Sequence, residues 1–204
     1  MANKKSSDIL PNVRYNISMK NSAESKNKLI QTLMSEFRNF GYDGLSLSRI
    51  SKATDLGKAS LYHYFPGGKD QMALEVMQMS IDWVQTEIVE TLVSDATPKE
   101  RLKIVLGKFN AFYECGEKAC ILEAMIASDA PVIVKEKAKV MFDMLIESFK
   151  KLALDTHRNK SEALSLAEST IAELQGALIV SRGTQNKSIF KRALTRIEQN
   201  YLEP

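Results

Sequence analysis

The sequence predicts an all-α protein of about nine helices. Three observations support this prediction: apolar residues recur at helical spacing, capping residues precede those segments, and no stretch alternates apolar and polar residues as a strand would. The first segment shows the pattern, with separations of one, three or four positions between Leu29, Ile30, Leu33, Met34, Phe37 and Phe40. Gly41 follows this run and can end the helix.

The composition indicates a globular protein. Its 204 residues, 44% hydrophobic and 26% charged, correspond to one domain of ordinary size or two small ones. No uninterrupted apolar run approaches the roughly 18 residues that a membrane span needs, and none follows the N-terminal lysines as in a signal peptide. Cys115 and Cys120 are too few for a disulfide framework or a four-thiolate zinc site. We therefore expect a soluble, cytoplasmic protein without a metal.

The chain divides into three predicted regions. Residues 1–21 are polar and basic with little periodicity, and we expect a flexible arm, either an inert tail or an extension that contacts DNA. Residues 22–70 form a first helical domain, and residues 71–204 form a second, larger one. Through position 70 there are 11 Lys or Arg and 6 Asp or Glu, net +5, whereas the remainder carries net −2. The N-terminal third is therefore expected to meet an anionic partner.

The first domain contains two short helices joined by a brief link. Ser46 can cap the first of them, and residues 54–57 connect it to a second helix at 58–65, which turns Leu61 and Phe65 inward. Two helices joined by three or four residues, the second of them short, are typical of a helix-turn-helix. With the preceding helix they predict a three-helix DNA-binding domain.

The remaining helices follow recognisable start signals. A break at Pro66, Gly67 and Gly68 precedes a long helix, and the segment Thr97-Pro98-Lys99-Glu100 is a capping box with proline at the first helical position. Pro131, Ser161 and Asn186 can each open another helix. These signals predict helices at 69–93, 97–113, 120–128, 131–154, 161–181 and 186–201.

The residues that enzyme sites require are missing. The sequence has two histidines: His63 lies within the short helix 58–65, and His157 lies in a polar stretch. No Gly-x-Gly occurs, and the segment from Gly67 to Asp70 departs from a phosphate loop because Asp70 stands where Ser or Thr is needed. We expect no catalytic residue, no cofactor and no metal.

The helix 58–65 carries the side chains that could contact DNA. A helix fits the major groove, where residues near its N-terminus reach base edges or phosphates. Lys69 begins the next helix, where free backbone N–H groups also favour phosphate. Each position has a structural alternative: Ser46 can be only a cap, Tyr64 can be a half-buried packing residue, and Arg49 and Lys52 can be a solvated face. The candidate DNA contacts are Ser46, Ser48, Lys58, Ala59, Ser60, Tyr62, His63, Tyr64 and Lys69.

Residues 25–75, and above all 46–71, resemble the DNA-binding domain of the TetR family of bacterial transcriptional regulators. The string from Lys58 to Phe65 looks like the recognition helix of that family, and the double glycine before Lys69 is similar to its LmrA-like branch. Residues 120–122 and 174–178 resemble that branch more weakly. The resemblance implies a homodimeric repressor that binds a palindromic double-stranded DNA operator and is released by a small-molecule effector.

The sequence departs from the family pattern at three positions. Asp55 stands where the turn usually has glycine, and Asp tolerates a positive φ, so the turn should survive. Gly57 replaces a frequent Ser or Thr cap. Ala59 replaces a frequent glycine, and its methyl group could contact a thymine methyl or shift the approach to DNA. The operator sequence therefore does not transfer from the family.

The last two helices have more apolar surface than a single core face requires. A two-fold dimer would cover this surplus and match a palindromic operator, although one chain burying everything is the alternative. The predicted interface residues are Leu164, Ala167, Ile171, Leu174, Leu178, Phe190 and Leu194.

The middle helices are the candidate effector site. Aromatic and methionine side chains there could line a pocket for an apolar or amphipathic ligand, although such residues also form ordinary cores. Glu123 interrupts an apolar run and could face a cationic ligand, an internal lysine or water. The candidate pocket residues are Trp83, Phe109, Phe112, Tyr113, Glu123, Met125 and Phe142.

Two other functions remain open at this point. The first is a helical enzyme or ligand carrier on the same scaffold, which the missing catalytic residues disfavour. The second is a helical adaptor with protein partners, in which the basic N-terminal third would be incidental. Salt-dependent binding to duplex DNA separates the regulator from both.

Overall fold

The fold is described from a computed structural model. It describes residues 11–156 and 158–202, with side chains from residue 24 onward. Residues 1–10 of the predicted arm and His157 lie outside the described residues. The described ranges are helices joined by turns and contain no strand, which confirms the all-α prediction.

Nine helices follow one another along the described part of the chain. The fourth, α4, is a continuous rod that widens to a π-helix near its C-terminal end. The bounds are α1 Pro11–Gly44, α2 Leu47–Thr54, α3 Lys58–Tyr64, α4 Gly68–Trp83 with the π segment Val84–Val89 and the last turn Glu90–Leu92, α5 Pro98–Phe112, α6 Ile121–Ile126, α7 Val132–Leu154, α8 Lys160–Gly183 and α9 Ser188–Leu202.

Helix α1 is longer than the sequence predicted. It begins at Pro11, inside the segment expected to be a flexible arm, so residues 11–21 are helical. Proline at a first helical position loses no hydrogen bond because its missing N–H would have no partner there. Near its other end the helix is interrupted at Gly41, which has φ 66° and ψ 177°, as the sequence predicted.

The N-terminal domain has a core shared by four helices. Phe37 of α1, Ile50 of α2, Leu61 of α3 and Met72 of α4 are all fully buried. Because each short helix contributes only one or two such side chains, α2 and α3 depend on α1 and α4 for most of their apolar contacts.

Capping fixes where the helices of the C-terminal domain begin. Thr97 and Glu100 form the predicted capping box at α5, in which the Thr97 N–H donates to Glu100 Oε2 at 3.1 Å. A second capping box opens α8, but its cap is Asn159 and not Ser161 as predicted. Asn159 Oδ1 accepts from the N–H groups of Ser161 and Glu162, both at 3.0 Å, so the amide side chain displaces the serine from that role.

Buried polar contacts tie the end of α4 to its neighbours. The Arg101 guanidinium on α5 donates to Leu92 O at 2.7 Å and bonds the Asp155 carboxylate at 2.7 Å. Lys108 donates to Glu87 O at 2.8 Å, within the π segment. Both bonds satisfy backbone carbonyls at places where the regular helical pattern is altered or ends.

Helix α8 is the described helix that is long and apolar enough to cross a membrane, judged by length and composition alone. Its most apolar window has a mean hydropathy of 1.2 and is 39% buried. It packs against α7 and α9 along one face, as a core helix does. The opposite face leaves apolar side chains exposed.

We predict opposite effects of alanine at two glycines near α5. Gly116 has φ 92°, and a Cβ there would lie 2.6 Å from the Phe190 Cβ. Gly116→Ala should therefore lower the free energy of unfolding by more than about 2 kcal/mol. Gly107 lies within α5 with nothing near its Cβ position, so Gly107→Ala should raise it by roughly 0.5 to 1 kcal/mol. Urea unfolding measures both, and a Gly116→Ala variant as stable as the parent would contradict the packing.

Candidate nucleic-acid interface

The turn between α2 and α3 is held by side chains close to it. Ser46 caps α2, and its Oγ accepts from the Arg49 N–H at 3.3 Å. Asp55 ends α2 in the left-handed region, with φ 55° and ψ 29°, so aspartate does occupy the place where glycine is usual. Ser51 Oγ donates to Leu56 O at 2.5 Å and closes the turn. These contacts set the direction in which α3 leaves the turn.

Helix α3 has one buried side and one exposed side. Leu61 and the following Phe65 are fully buried, whereas Tyr64 is half-buried and its ring meets the His63 ring edge-on at 5.8 Å. Tyr64 therefore has the half-buried position that its structural alternative, a packing residue, predicted. The remaining predicted contacts share the exposed side: Lys58, Ala59, Ser60, Tyr62 and His63.

The junction between α3 and α4 is a groove of about 490 Å³. Tyr62 lies at its edge and is 46% exposed, and its ring packs against Gly68, where a Cβ would lie 3.6 Å from Tyr62 Cε1. Gly68 has φ 64°, a backbone conformation that favours glycine. Ser46 and Lys69 also line the groove. It therefore gathers a hydroxyl, a phenol and an ammonium group beside the start of α4.

Lys69 has a partner that the sequence did not indicate. Its ammonium donates to Tyr42 O at 3.0 Å and lies 4.1 Å from the centre of the Tyr42 ring. The Tyr42 hydroxyl in turn donates to the Asp70 carboxylate. Burial and this carboxylate both raise the pKa of the Tyr42 phenol above its usual range. Lys69 thus links the end of α1 to the start of α4 and keeps N–H donors for a further partner.

A chain of polar contacts connects α1 to the same junction through α4. The Lys26 ammonium pairs with the Glu75 carboxylate at 2.7 Å, and Gln71 Nε2 donates to Glu75 Oε1 at 2.9 Å. Gln71 Oε1 then accepts from the Gly67 N–H at 2.8 Å. The loop that carries the groove is therefore tied to α1 and α4.

On α2, the candidate Ser48 is exposed at the first turn. Arg49 was expected to be a solvated residue, and it is exposed, but its guanidinium stacks on the Phe40 ring at 3.8 Å. That contact holds the start of α2 against the end of α1.

Four of the seven candidate effector residues come together as packed rings. Trp83 stacks on Phe112 at 4.1 Å, Phe109 stacks on Tyr113 at 6.3 Å, and Met125 is fully buried. Phe142 is half-buried. Glu123 was expected to face a cationic ligand, an internal lysine or water. Its carboxylate pairs with the Arg182 guanidinium at 2.6 Å, so the internal partner is an arginine, and its side chain remains 35% exposed.

The predicted dimer interface needs correction. Five of its seven residues are covered by their own chain and cannot form the contact surface: Ala167, Ile171, Leu174, Leu178 and Phe190. Leu194 is half-buried, and Leu164 is exposed. The apolar stripe that the sequence showed is the side of α8 that faces α7 and α9, and the surface left over is the other side of α8.

Comparison with known proteins shows what the chain is similar to. Residues 29–76 match the family model described as bacterial regulatory proteins, tetR family. The match covers α2, α3 and the start of α4, and so includes the helix-turn-helix. The chain is similar to the HTH-type transcriptional regulator LmrA of Bacillus subtilis, with 24% identity over 81% of this chain and 90% of that protein. It also resembles the uncharacterized HTH-type transcriptional regulator YxaF of the same species, at 21% identity over 83% and 91%.

Solved TetR-family structures share the fold. A TetR transcriptional regulator from Legionella pneumophila superposes with a TM-score of 0.76 at 20% identity, over 84% of this chain and 94% of that one. Reduced E. coli NemR superposes with a TM-score of 0.69 at 16% identity, over 85% and 95%. These superpositions confirm the predicted all-α fold. The match of residues 29–76 to the tetR family model supports the predicted helix-turn-helix.

We predict that the free energy of unfolding depends on which small residue stands at position 55, in the turn before α3. Asp55→Ala should lower the free energy of unfolding by about 1 kcal/mol, because alanine lacks the local tolerance of aspartate for the left-handed region. Asp55→Gly should leave it unchanged or raise it. Urea unfolding of the two variants tests this, and equal stability of the alanine and glycine variants would contradict the strain argument.

Proposed function

We propose that this protein is a dimeric repressor of the TetR family that binds a palindromic operator through α3 and is released by a small ligand. The observation that carries the proposal is the exposed side of α3 beside the α3–α4 groove, in the basic third of the chain. On one surface it combines hydroxyl, phenol, imidazole and ammonium donors with a helix of the width that enters the major groove. A regulator that acts on DNA is expected in the cytoplasm.

The side chains divide into two roles. The exposed residues of α3 would enter the major groove of the DNA and face base edges or nearby phosphates. These residues are Lys58, Ala59, Ser60, Tyr62 and His63. Ser46, Ser48 and Lys69 flank α3 and would hold the phosphate backbone, which fixes the register without reading sequence. Lys69 would offer its remaining N–H donors while still bonded to Tyr42 O, so the phosphate contact and the α1–α4 link are compatible.

The dimer contact would form on the exposed face of α8. Ile179 and Val180 are each about half exposed, and Leu164 extends the same apolar face toward the start of the helix. Gly176 lies between them with nothing near its Cβ position. A glycine inside an exposed helix lowers the free energy of unfolding by roughly 0.5 to 1 kcal/mol relative to alanine. The absence of a side chain there would let a partner helix approach closely. A two-fold axis here would place two α3 helices for two half-sites.

The ligand would act through α4. This rod is roughly 35 to 40 Å long by its rise per residue and connects the α3 junction to the aromatic rings around Trp83. An apolar or amphipathic ligand among those rings would have to part them and would press on α4. Release of DNA requires the ligand to bind the DNA-free arrangement more tightly, because equal affinity for both arrangements shifts nothing.

We predict that two variants weaken DNA binding in different ways. Lys69→Ala should lower affinity for all duplexes and reduce the dependence of log K on log salt by about one phosphate contact. Tyr62→Ala should lower the preference for the operator over random duplex by about tenfold or more. Fluorescence anisotropy over a salt series measures both quantities.

The matched control for this comparison is Lys99→Ala, an exposed lysine at the start of α5, at the opposite end of α4 from the groove. It removes the same charge and should leave both quantities unchanged. A Lys69→Ala variant with the affinity and salt slope of the Lys99→Ala variant would refute the phosphate role.

We predict that Gly176→Gln dissociates the dimer and leaves the fold of each chain intact. The added side chain meets nothing within its own chain and improves helix propensity, whereas it would separate two closely packed α8 helices. Gly107→Gln is the control, since Gly107 is also an exposed helical glycine with open space but lies on α5. Sedimentation velocity measures the oligomeric state, and circular dichroism measures the retention of helical structure. A Gly176→Gln protein that remains dimeric would place the interface elsewhere.

A further inference from the structure

A second cavity, of about 290 Å³, lies where α1 of the DNA-binding domain meets the C-terminal domain. We call it the seam cavity. Its walls come from both domains and include Arg38, Phe40 and Asp43 of α1, Glu123 and Ala124 of α6, and Arg182 of α8. It is separate from the α3–α4 groove, and of the candidate effector residues only Glu123 lines it.

Arg38 is the unusual member of this wall. Its Nε and Nη2 atoms are buried and have no hydrogen-bond partner, and no carboxylate of the described residues forms an ion pair with it. The guanidinium stacks on the Phe112 ring at 4.3 Å, and burial lowers the pKa of the Arg38 guanidinium. A buried cation without a counter-ion is costly, so the site favours a partner that brings negative charge.

The other charged groups of the cavity already have partners in the chain. Glu123 pairs with Arg182 at 2.6 Å, and the Asp43 carboxylate accepts from the Asp129 N–H at 3.1 Å. Two arginines and two carboxylates therefore face this space. Arg38 and Asp43 form no ion pair among the described residues, and Asp43 has the Asp129 N–H as a donor, whereas the Nε and Nη2 atoms of Arg38 have no acceptor. A ligand that reaches Arg38 does not have to break the Glu123 ion pair.

We propose that the seam cavity binds a small organic carboxylate whose apolar part lies against Phe40 and Ala124 and whose carboxylate is received by Arg38. The planar guanidinium matches a carboxylate with two parallel hydrogen bonds, which a neutral amide cannot form. Inorganic phosphate can form the same two bonds but has no apolar part to contact Phe40 and Ala124, so it should bind less tightly. Phe40 is 40% exposed and gives the apolar part a surface to contact. The volume suits a compact ligand.

The site also lies on the contacts that position α1. Gly41, three residues after Arg38, is the kink of α1, and its Cβ position is 3.9 Å from Ala124 O on α6. Arg38, Phe112 and Trp83 form a continuous stack from the cavity to α4. A carboxylate that draws Arg38 toward it would change both the α1–α6 contact and this stack. The regulatory part of the inference rests on the proposed function, in which α1 and α4 position α3.

The test compares three probes on the purified full chain by isothermal titration calorimetry: benzoate, its neutral counterpart benzamide, and inorganic phosphate. We expect benzoate to bind at least about tenfold more tightly than either of the others. Arg38→Gln should abolish that preference, whereas Arg192→Gln, which removes an exposed arginine on α9, should retain it. Equal binding of benzoate and benzamide, phosphate binding as tight as benzoate, or no binding up to about 10 mM would each overturn the proposal.

If the Arg38→Gln chain fails to fold, the comparison of the three probes on the unchanged protein still tests whether the cavity prefers a carboxylate. A benzoate preference that persists in a folded Arg38→Gln variant would overturn the assignment to Arg38. Coupling is tested separately: benzoate should lower operator affinity, and operator should lower benzoate affinity by the same factor. An unchanged benzoate affinity on operator-bound protein would overturn the regulatory part. A chain that binds benzoate but no DNA would refute the proposed function and leave the ligand site standing.

Discussion

Burial of Leu61 on α3 and of Phe65, the residue that follows α3, is the constraint on which the rest of the structure depends. Helix α3 spans Lys58–Tyr64, and a helix of this length is not stable in water on its own. The fully buried side chains of Leu61 and Phe65 enter a core made by α1 and α4. The exposed side of α3 is therefore positioned by α1 and α4, which contribute to the proposed DNA interface only Lys69 at the start of α4, and it moves when they move.

The same two helices reach into the C-terminal domain, which explains how distant residues can influence α3. Helix α1 ends at the seam cavity, where Asp43 bonds the Asp129 N–H and Arg38 stacks on Phe112. Helix α4 ends where Arg101 holds Leu92 O. Lys69 then joins the end of α1 to the start of α4 through Tyr42 O. A ligand that alters either helix in the C-terminal domain thus acts on the segment that carries α3.

Local signals predicted much of this architecture from the sequence. The capping box at Thr97, the turn at Asp55 and the two buried positions in and just after α3 each depend on residues within a few positions of one another, so their patterns are visible in the chain. The start of α1 was missed because residues 11–21 have little apolar periodicity. The cap of α8 was misplaced because Ser161 and Asn159 are both good capping residues two positions apart.

Long-range contacts could not be predicted in the same way. An apolar stripe shows that a helix face is covered, but not whether its own chain or a second chain covers it, and so the burial of Leu174 and Phe190 was assigned to the wrong partner. Lys69 and Tyr42 are 27 positions apart, and Glu123 and Arg182 are 59 apart. Nothing in the local sequence marks Arg38 as a buried cation, because its environment is made by α5 and α6.

Selection of bound sequences from random duplex DNA, using the purified full chain, tests the central claim most directly. If two copies of α3 are held at a fixed separation by α1 and α4, the enriched sequences will contain two inverted half-sites whose centres lie about one helical turn, roughly 34 to 36 Å, apart or a multiple of it. Enrichment of a single half-site, of repeats at variable spacing, or of no sequence at all would contradict the account.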